Sequence, residues 1–320
     1  MIDRILAGSA KEHSIVARFR RVKGVDGVPL AAWEFGEGGR GASPGGDRRP
    51  SVLLLHGPVG RATAWWRTAR WLTPAFRAVA LEARADGPVG ADGVGGALAA
   101  ADAEAAIDQL GLGPAVVVGH SLGALTAWRL AARAPEAVRA VVAAEMRCAP
   151  LTEDQVAEAA AWLAAWPLPF ASFGEAREWF SVHDPSLEDG PSEGRGEFLA
   201  ELLDRQEDGL RPHFAPERVV AEFAACAHRP FWEELGRVRC PTLVVRGLKG
   251  YLGRAEAQEM VRVLPQGSYA EVAGAGHLLH AEQPDAWRRA IEPFIHAVAP
   301  TPQATDPPHT APTPGGVPGR

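Results

Sequence analysis

The spacing of apolar and polar positions changes several times along the chain. Residues 14–22 and 28–35 alternate apolar with polar, and read as a pair of strands with one face covered. Residues 51–55 (SVLLL) and 115–118 (AVVV) are unbroken apolar runs, which suit strands buried on both faces of a parallel sheet. Residues 76–81, 138–144, 242–245 and 269–272 bring the predicted strands to eight. Helical patterning separates them at residues 62–72, 97–110, 122–134, 254–264 and 284–298. Strand and helix in alternation predict an α/β fold with a mostly parallel sheet covered on both sides, because parallel neighbours need crossover connections.

The alternation stops over residues 150–230. That stretch reads as helices only, at 153–166, 175–182, 196–205 and 216–227, the first of them stopped by Pro167 and Pro169. An all-helical insertion between two sheet strands is expected to form a lid over the carboxyl edge, where ligands bind in open α/β sheets. The expected organisation is therefore a core of residues 1–149 and 231–299, a helical lid at 150–230 and a tail at 300–320. Trp162, Trp166 and Trp179 could line a substrate pocket under this lid, or could serve only to pack its helices on the core. Residues 36–50 are Gly-, Pro- and charge-rich without periodicity and read as a surface loop. Residues 300–320 hold seven prolines and almost nothing that could form a core, and read as a disordered tail.

Composition narrows the possibilities. With 320 residues, 47% hydrophobic and 22% charged, the chain can bury a large core, which excludes disorder throughout. Thirty-three basic against 39 acidic residues leave a net charge of -6, which argues against nucleic acid or an anionic membrane surface as partner. A small molecule is the expected partner, and nothing specifies an oligomeric state. Cys148, Cys226 and Cys240 are odd in number and lack a CxxC pair, so neither a disulfide framework nor a zinc site is expected. The opening MIDRILAGSAKEHSIV has Asp3 and no apolar run typical of a leader, and no stretch approaches a bilayer span. The expected location is the cytoplasm.

The sharpest chemical signal is Gly119-His120-Ser121-Leu122-Gly123, directly after the AVVV run and directly before a helical pattern. In that strand-turn-helix context the serine sits on a strained turn, and the flanking glycines let backbone pass close by without Cβ clashes. Ser121 would present its hydroxyl at a helix N-terminus, where the N–H of Leu122 can face a developing oxyanion. The plainer use of such a serine is to cap the helix.

The chain resembles the α/β-hydrolase superfamily over residues 14–298. Four motifs carry the resemblance in order: His56-Gly57, the Ser121 elbow, the run from Cys240-Pro241 to Arg246-Gly247, and Gly274-Ala275-Gly276-His277. It is most similar to the lidded, cofactor-free esterase and haloperoxidase-like branch, which implies an eight-stranded α/β-hydrolase sheet and no cofactor. Serine at the elbow separates it from the dehalogenases and epoxide hydrolases of the fold, which use aspartate there. His277 is the implied base, since a neutral imidazole can take the serine proton near pH 7. His280 is a rival, or with His277 half of a metal pair, but no third ligand is near, so no metal is expected. His120 should point away from the serine, and His56 should brace its loop.

Two departures from the family pattern stand out. Most relatives place an aspartate just beyond strand 242–245, yet Gly247-Leu248-Lys249-Gly250-Tyr251-Leu252-Gly253-Arg254 contains no carboxylate. A minority carry the acid after the preceding core strand, and there this chain has Glu145, which becomes the candidate; Glu256 and Glu259 lie past the usual site. A strand-end surface glutamate is the plainer reading of Glu145. The residue after His-Gly commonly lends its N–H to the oxyanion, but Pro58 has none, so Val59 through a shifted turn is the candidate partner of Leu122. The resemblance implies hydrolysis of an ester, thioester or related carbonyl through Ser121, His277 and Glu145. The alternatives are another reaction on the same residues (carbon–carbon bond hydrolysis, perhydrolysis, a lyase or cyclase step) or a ligand-binding protein without turnover.

Overall fold

The computed structural model describes residues 4–6, 15–37, 49–84, 96–187 and 190–300. Its strands, in chain order, are β1 (Arg4–Leu6), β2 (Ile15–Lys23), β3 (Pro29–Glu37), β4 (Ser51–Leu55), β5 (Arg77–Leu81), β6 (Ala115–His120), β7 (Val138–Ala144), β8 (Leu203–Gln206), β9 (Gly209–Pro212), β10 (Thr242–Gly247) and β11 (Gly267–Val272). The eight predicted strands are all present, and the short β1 adds an antiparallel edge beside β2. The sheet runs β1-β2-β3-β5-β4-β6-β7-β10-β11, antiparallel from β1 to β5 and parallel from β5 to β11.

The unbroken apolar runs follow from this placement. In β4, Val52 and Leu54 join the core on one face with Val116 and Val118, while Leu53 and Leu55 join the opposite core with Val117. Successive side chains point to opposite faces, so a central strand roofed on both sides has no position for a polar residue. Each fully buried Val or Leu contributes about 1.5–3 kcal/mol of transfer free energy. Helix Leu122–Arg133 packs beneath β6 and β7 with Trp128 wholly buried. The other predicted helices appear as Ala62–Trp65 running into Trp66–Leu72, and as Ala97–Leu110, Arg254–Val263 and Pro284–Val298. Among the described residues no helix is long and apolar enough to cross a membrane.

Residues 150–230 differ from the expectation of helices only. Helices Glu153–Ala164, Phe173–Glu178, Glu193–Ala200 and Pro216–Cys226 are joined by a hairpin, β8 and β9, at the place where helix was predicted to continue to residue 205. The register pairs Gln206 with Gly209, leaving Glu207 and Asp208 as a two-residue turn. Asp208 followed by Gly209 at the start of β9 is turn chemistry that local helical patterning obscured. The segment has its own apolar core, built on Leu163, Trp166, Phe170, Phe180, Phe198 and Leu199. It is also bound to the sheet domain by charge: Arg61 reaches Asp204 at 3.0 Å, and Arg67 reaches Glu197 at 2.6 Å and Glu201 at 3.1 Å. Most of the predicted 36–50 loop and the 301–320 part of the predicted tail lie outside the described residues.

Candidate active site

Ser121 follows the last residue of β6 at the centre of the parallel sheet. Its backbone takes φ 55° and ψ -130°, and its N–H donates to Ala144 O at 2.8 Å. A Cβ at Gly119 would fall inside Gly123 and Ala124, and one at Gly123 inside the carbonyls of Leu55 and His56. Both glycines are thus required by crowding around the turn. Among the described residues, three non-glycines have left-handed φ: Ser121, Glu145 and His228. Such strain clusters at functional sites, and here it marks the candidate nucleophile and the candidate acid. No side-chain cap bond forms from Ser121 to its helix, so the hydroxyl is not committed to capping.

Glu145 sits just past β7, its side chain fully buried. Oε2 lies 3.3 Å from His277 Nδ1. The same carboxylate accepts from Gly247 N at 2.8 Å, Tyr251 N at 2.9 Å and Leu252 N at 3.4 Å. The turn after β10, which lacks a carboxylate of its own, therefore forms a nest of backbone donors around the carboxylate of its neighbour. Gly250 makes room, since a Cβ there would overlap both Glu145 oxygens. Glu256 and Glu259 are elsewhere. Glu256 holds Cys148 N, Ala149 N and Arg147, and Glu259 pairs with Arg262 on the surface.

His277 lies in the loop beyond β11. Glu282 grips that loop on either side of the histidine, accepting from Gly276 N at 2.6 Å and Leu278 N at 3.3 Å. Gly247 allows β10 to approach the carbonyls of Ala275 and Gly276. With Nδ1 turned to Glu145, Nε2 is the ring nitrogen left for a serine proton. His280 is buried, its ring stacked on Trp65 at 4.6 Å and edge-on to Phe198 at 5.3 Å. Burial first, then the charges of His277 and Arg67, push its pKa down to about 3, so it is a neutral packing residue at pH 7. Among the described residues no group of three or more His, Cys, Asp or Glu side chains could hold a metal ion.

The turn after β4 presses on the serine: a Cβ at Gly57 would lie 3.0 Å from Ser121 Cβ and 3.4 Å from its Oγ. His56 braces this turn as expected. Nδ1 lies 2.7 Å from Gly57 O, and Nε2 lies 3.0 Å from both Glu82 Oε1 and Ala83 N. Glu82 also accepts from Ala62 N at 3.1 Å. Burial alone would lower the His56 pKa, but the charge and hydrogen bond of Glu82, with the Gly57 carbonyl, together raise it. Burial would raise the Glu82 pKa, but the charge and hydrogen bond of His56, with the Ala62 N–H, together lower it. Leu122 opens the helix, so its N–H is among the orphan donors of a helix N-terminus. Val59 is half-buried against the core of residues 150–230.

The three tryptophans lie in that same core. Trp166 packs edge-on to Trp162 at 5.2 Å and to Phe180 at 4.7 Å, and Trp179 edge-on to Phe180 at 5.1 Å. Trp162 Nε1 donates to the Asp184 carboxylate at 3.1 Å. The cluster extends to Val59 and Leu278, which flank the candidate oxyanion turn and the candidate base. Helix Glu193–Ala200 meets the chain after His277 through Gly194, where a Cβ would strike Ala281 O. Sequence reasoning did not find Gly250, Glu282 or Glu82. Only the paired glycines at 247 and 250 beside a missing carboxylate hinted at the first.

Comparison with known proteins gives the same family. Among curated proteins, 2-(acetamidomethylene)succinate hydrolase of Mesorhizobium japonicum is 27% identical over 252 residues, covering 78% of this chain and 88% of that protein. The sn-1-specific diacylglycerol lipase of Mus musculus is 27% identical over 256 residues, covering 77% and 81%. Among solved structures, E-2-(acetamidomethylene)succinate hydrolase matches with a TM-score of 0.70 at 24% identity, covering 87% of this chain and 99% of that one. A family model described as "Alpha/beta hydrolase family" matches residues 52–290. With that match over most of its length and hydrolases as its named relatives, the chain belongs to the alpha/beta hydrolase family and is a hydrolase.

Proposed function

We propose that the protein hydrolyses a small ester, thioester or related carbonyl compound through Ser121, His277 and Glu145. The observation that carries this reading is the 3.3 Å approach of His277 Nδ1 to a buried glutamate, on the same sheet edge as a serine held at positive φ. Ser121 Oγ attacks the carbonyl carbon while its proton passes to His277 Nε2. Glu145 accepts from Nδ1–H, selecting the tautomer and stabilising the imidazolium. Leu122 N–H and Val59 N–H receive the oxyanion. The tetrahedral intermediate collapses, and the leaving oxygen or sulfur departs with the proton from His277. Water then gives a proton to His277, attacks the acyl carbon and releases the acid, restoring Ser121. The Glu145 contact is at the long end of hydrogen bonding, as is common before substrate binds.

Residues 150–230 act in this reading as a lid. Trp162, Trp166 and Trp179 form its apolar wall, which favours an apolar or aromatic acyl or leaving group. A cytoplasmic setting belongs to the same reading, supported by three cysteines that are all free thiols. Pro58 favours one second reading, a reaction on the same residues that leans little on an oxyanion hole, such as carbon–carbon bond hydrolysis, perhydrolysis or a lyase step. The test is p-nitrophenyl acetate and butyrate turnover together with fluorophosphonate labelling, in wild type and Ser121→Ala. Turnover and labelling are expected in wild type and absent in the variant. Labelling that survives in Ser121→Ala would remove the serine from its role, and labelling without ester turnover would favour the second reading.

A further inference from the structure

His120 is the last residue of β6 and directly precedes Ser121. Its side chain leaves the serine and crosses to the loop of the base, where Nε2 lies 2.8 Å from the backbone carbonyl of His277. A carbonyl only accepts, so the bond requires the proton on Nε2. Burial first, then His277, His280 and His56, hold the His120 pKa well below the ordinary value, so the ring is neutral and has only this one N–H to give. The ring is fixed by its neighbours, with His277 at 4.7 Å and His280 at 4.8 Å, and His280 is itself backed by Trp65 at 4.6 Å.

We propose that His120 is a positioning residue that ties the candidate base to the candidate nucleophile: its Nε2–H holds the His277 carbonyl against the end of the strand that presents Ser121. This rests on the serine-hydrolase reading above. The need for such a tie follows from topology. His277 follows β11, which is separated from β6 by β7 and β10, so the base reaches the serine on a loop that spans two strands. Glu145 fixes one ring nitrogen of His277 and Glu282 fixes the flanking N–H groups. The carbonyl of His277 is held by the residue adjacent to the serine itself, so a shift in the elbow is passed directly to the base. A misplacement of about 1 Å between reacting groups can cost about 100-fold in rate.

Two variants separate the hydrogen bond from the ring packing. His120→Phe keeps an aromatic ring between His277 and His280 but donates nothing; His120→Gln supplies an N–H without the ring. With p-nitrophenyl butyrate, His120→Phe is expected to lower kcat by about 10- to 100-fold at nearly constant KM, and to slow fluorophosphonate labelling by the same factor. His120→Gln is expected to recover most of that loss. Full kcat in His120→Phe, or a loss in His120→Gln as large as in His120→Phe, overturns the proposal. A measurement on the unaltered protein keeps the test decisive if a variant does not fold. Nitrogen NMR of the His120 ring is expected to show a proton on Nε2 and none on Nδ1, and the reverse tautomer overturns the proposal. Absence of labelling in wild type would instead sink the serine-hydrolase reading, whatever the His120 tautomer.

Discussion

Two turns at the carboxyl edge of the sheet border the candidate site, one pressing on Ser121 and one holding Glu145, and each differs by one residue from the pattern that the resemblance implies. The turn after β10 holds no carboxylate, and the turn after β4 carries Pro58, which has no N–H. In the proposed reading Glu145, one strand over, stands in for the missing acid: it lies 3.3 Å from His277 Nδ1, and the end of β10 and the turn after it supply three N–H donors to hold it. The second turn has no comparable replacement in side chains. The turn is pinned by His56 and Glu82, and any oxyanion donor must come from the next residue of the backbone. A side-chain function can move between neighbouring strands because their ends converge within a side-chain length. A backbone donor can move only along its own chain, and only if the turn changes its path.

The largest expected effect falls on the turn after β10. Glu145→Gln should lower kcat for p-nitrophenyl esters on the order of 10,000-fold, because the tautomer and the imidazolium both lose their partner. Steady-state kinetics beside Glu256→Gln decides the assignment: if Glu256→Gln alone lost activity, the acid would be Glu256. Next comes Gly250→Ala, which leaves all three side chains in place but drives a methyl into the Glu145 carboxylate. A loss of about 100-fold in kcat is expected, and wild-type kinetics would show that the nest does not govern the carboxylate.

The turn after β4 is tested by stability. Glu82 keeps a quarter of its side chain exposed and His56 a tenth, so removing the charge by Glu82→Gln should cost about 2 kcal/mol, less than for a fully buried pair. The pH dependence has a definite sign. The raised His56 contributes stability that is complete below about 6.5 and is lost as pH rises through its folded value. The lowered Glu82 contributes stability that is complete above about 4.5 and is lost as pH falls through its folded value. Urea unfolding should therefore show the widest gap between wild type and Glu82→Gln from about pH 4.5 to 6.5. An equal gap at pH 9 would mean that His56 carries no charge in the pair. The smallest effect is expected for Pro58→Ala, which restores an N–H to a turn whose oxyanion donor is assigned to Val59. Little change in kcat should follow. A gain on the order of 100-fold would mean that the native turn lacks a second donor.

The strands were legible because central parallel strands are apolar on both faces, so β4, β6 and β7 stand out as continuous runs. The elbow was legible because Gly119 and Gly123 answer a local crowding that recurs wherever a serine is presented on such a turn. Glu145 could be singled out only through the resemblance: residues 247–254 hold no carboxylate where most relatives place the acid, and a minority carry it where this chain has Glu145. The β8–β9 hairpin was missed because its turn signal, Asp208-Gly209, sits in a segment whose flanking patterns are helical. Glu282 gave no signal at all. An acid in a short helix is ordinary, and its role depends on the loop folding back to place Gly276 and Leu278 against it.

By itself, the order of residues determined the α/β architecture and the serine on its elbow, because periodicity and turn chemistry are local properties; the missing carboxylate and Pro58 stood out only against the pattern of the family that the chain resembles. Tertiary structure decided which glutamate meets His277, that Gly250 is empty to admit it, that His280 is buried and neutral, and that the core of residues 150–230 reaches Val59 and Leu278. Those outcomes join residues far apart along the chain, Glu145 and His277 by 132 positions, and only the packing of strands and helices side by side sets such distances.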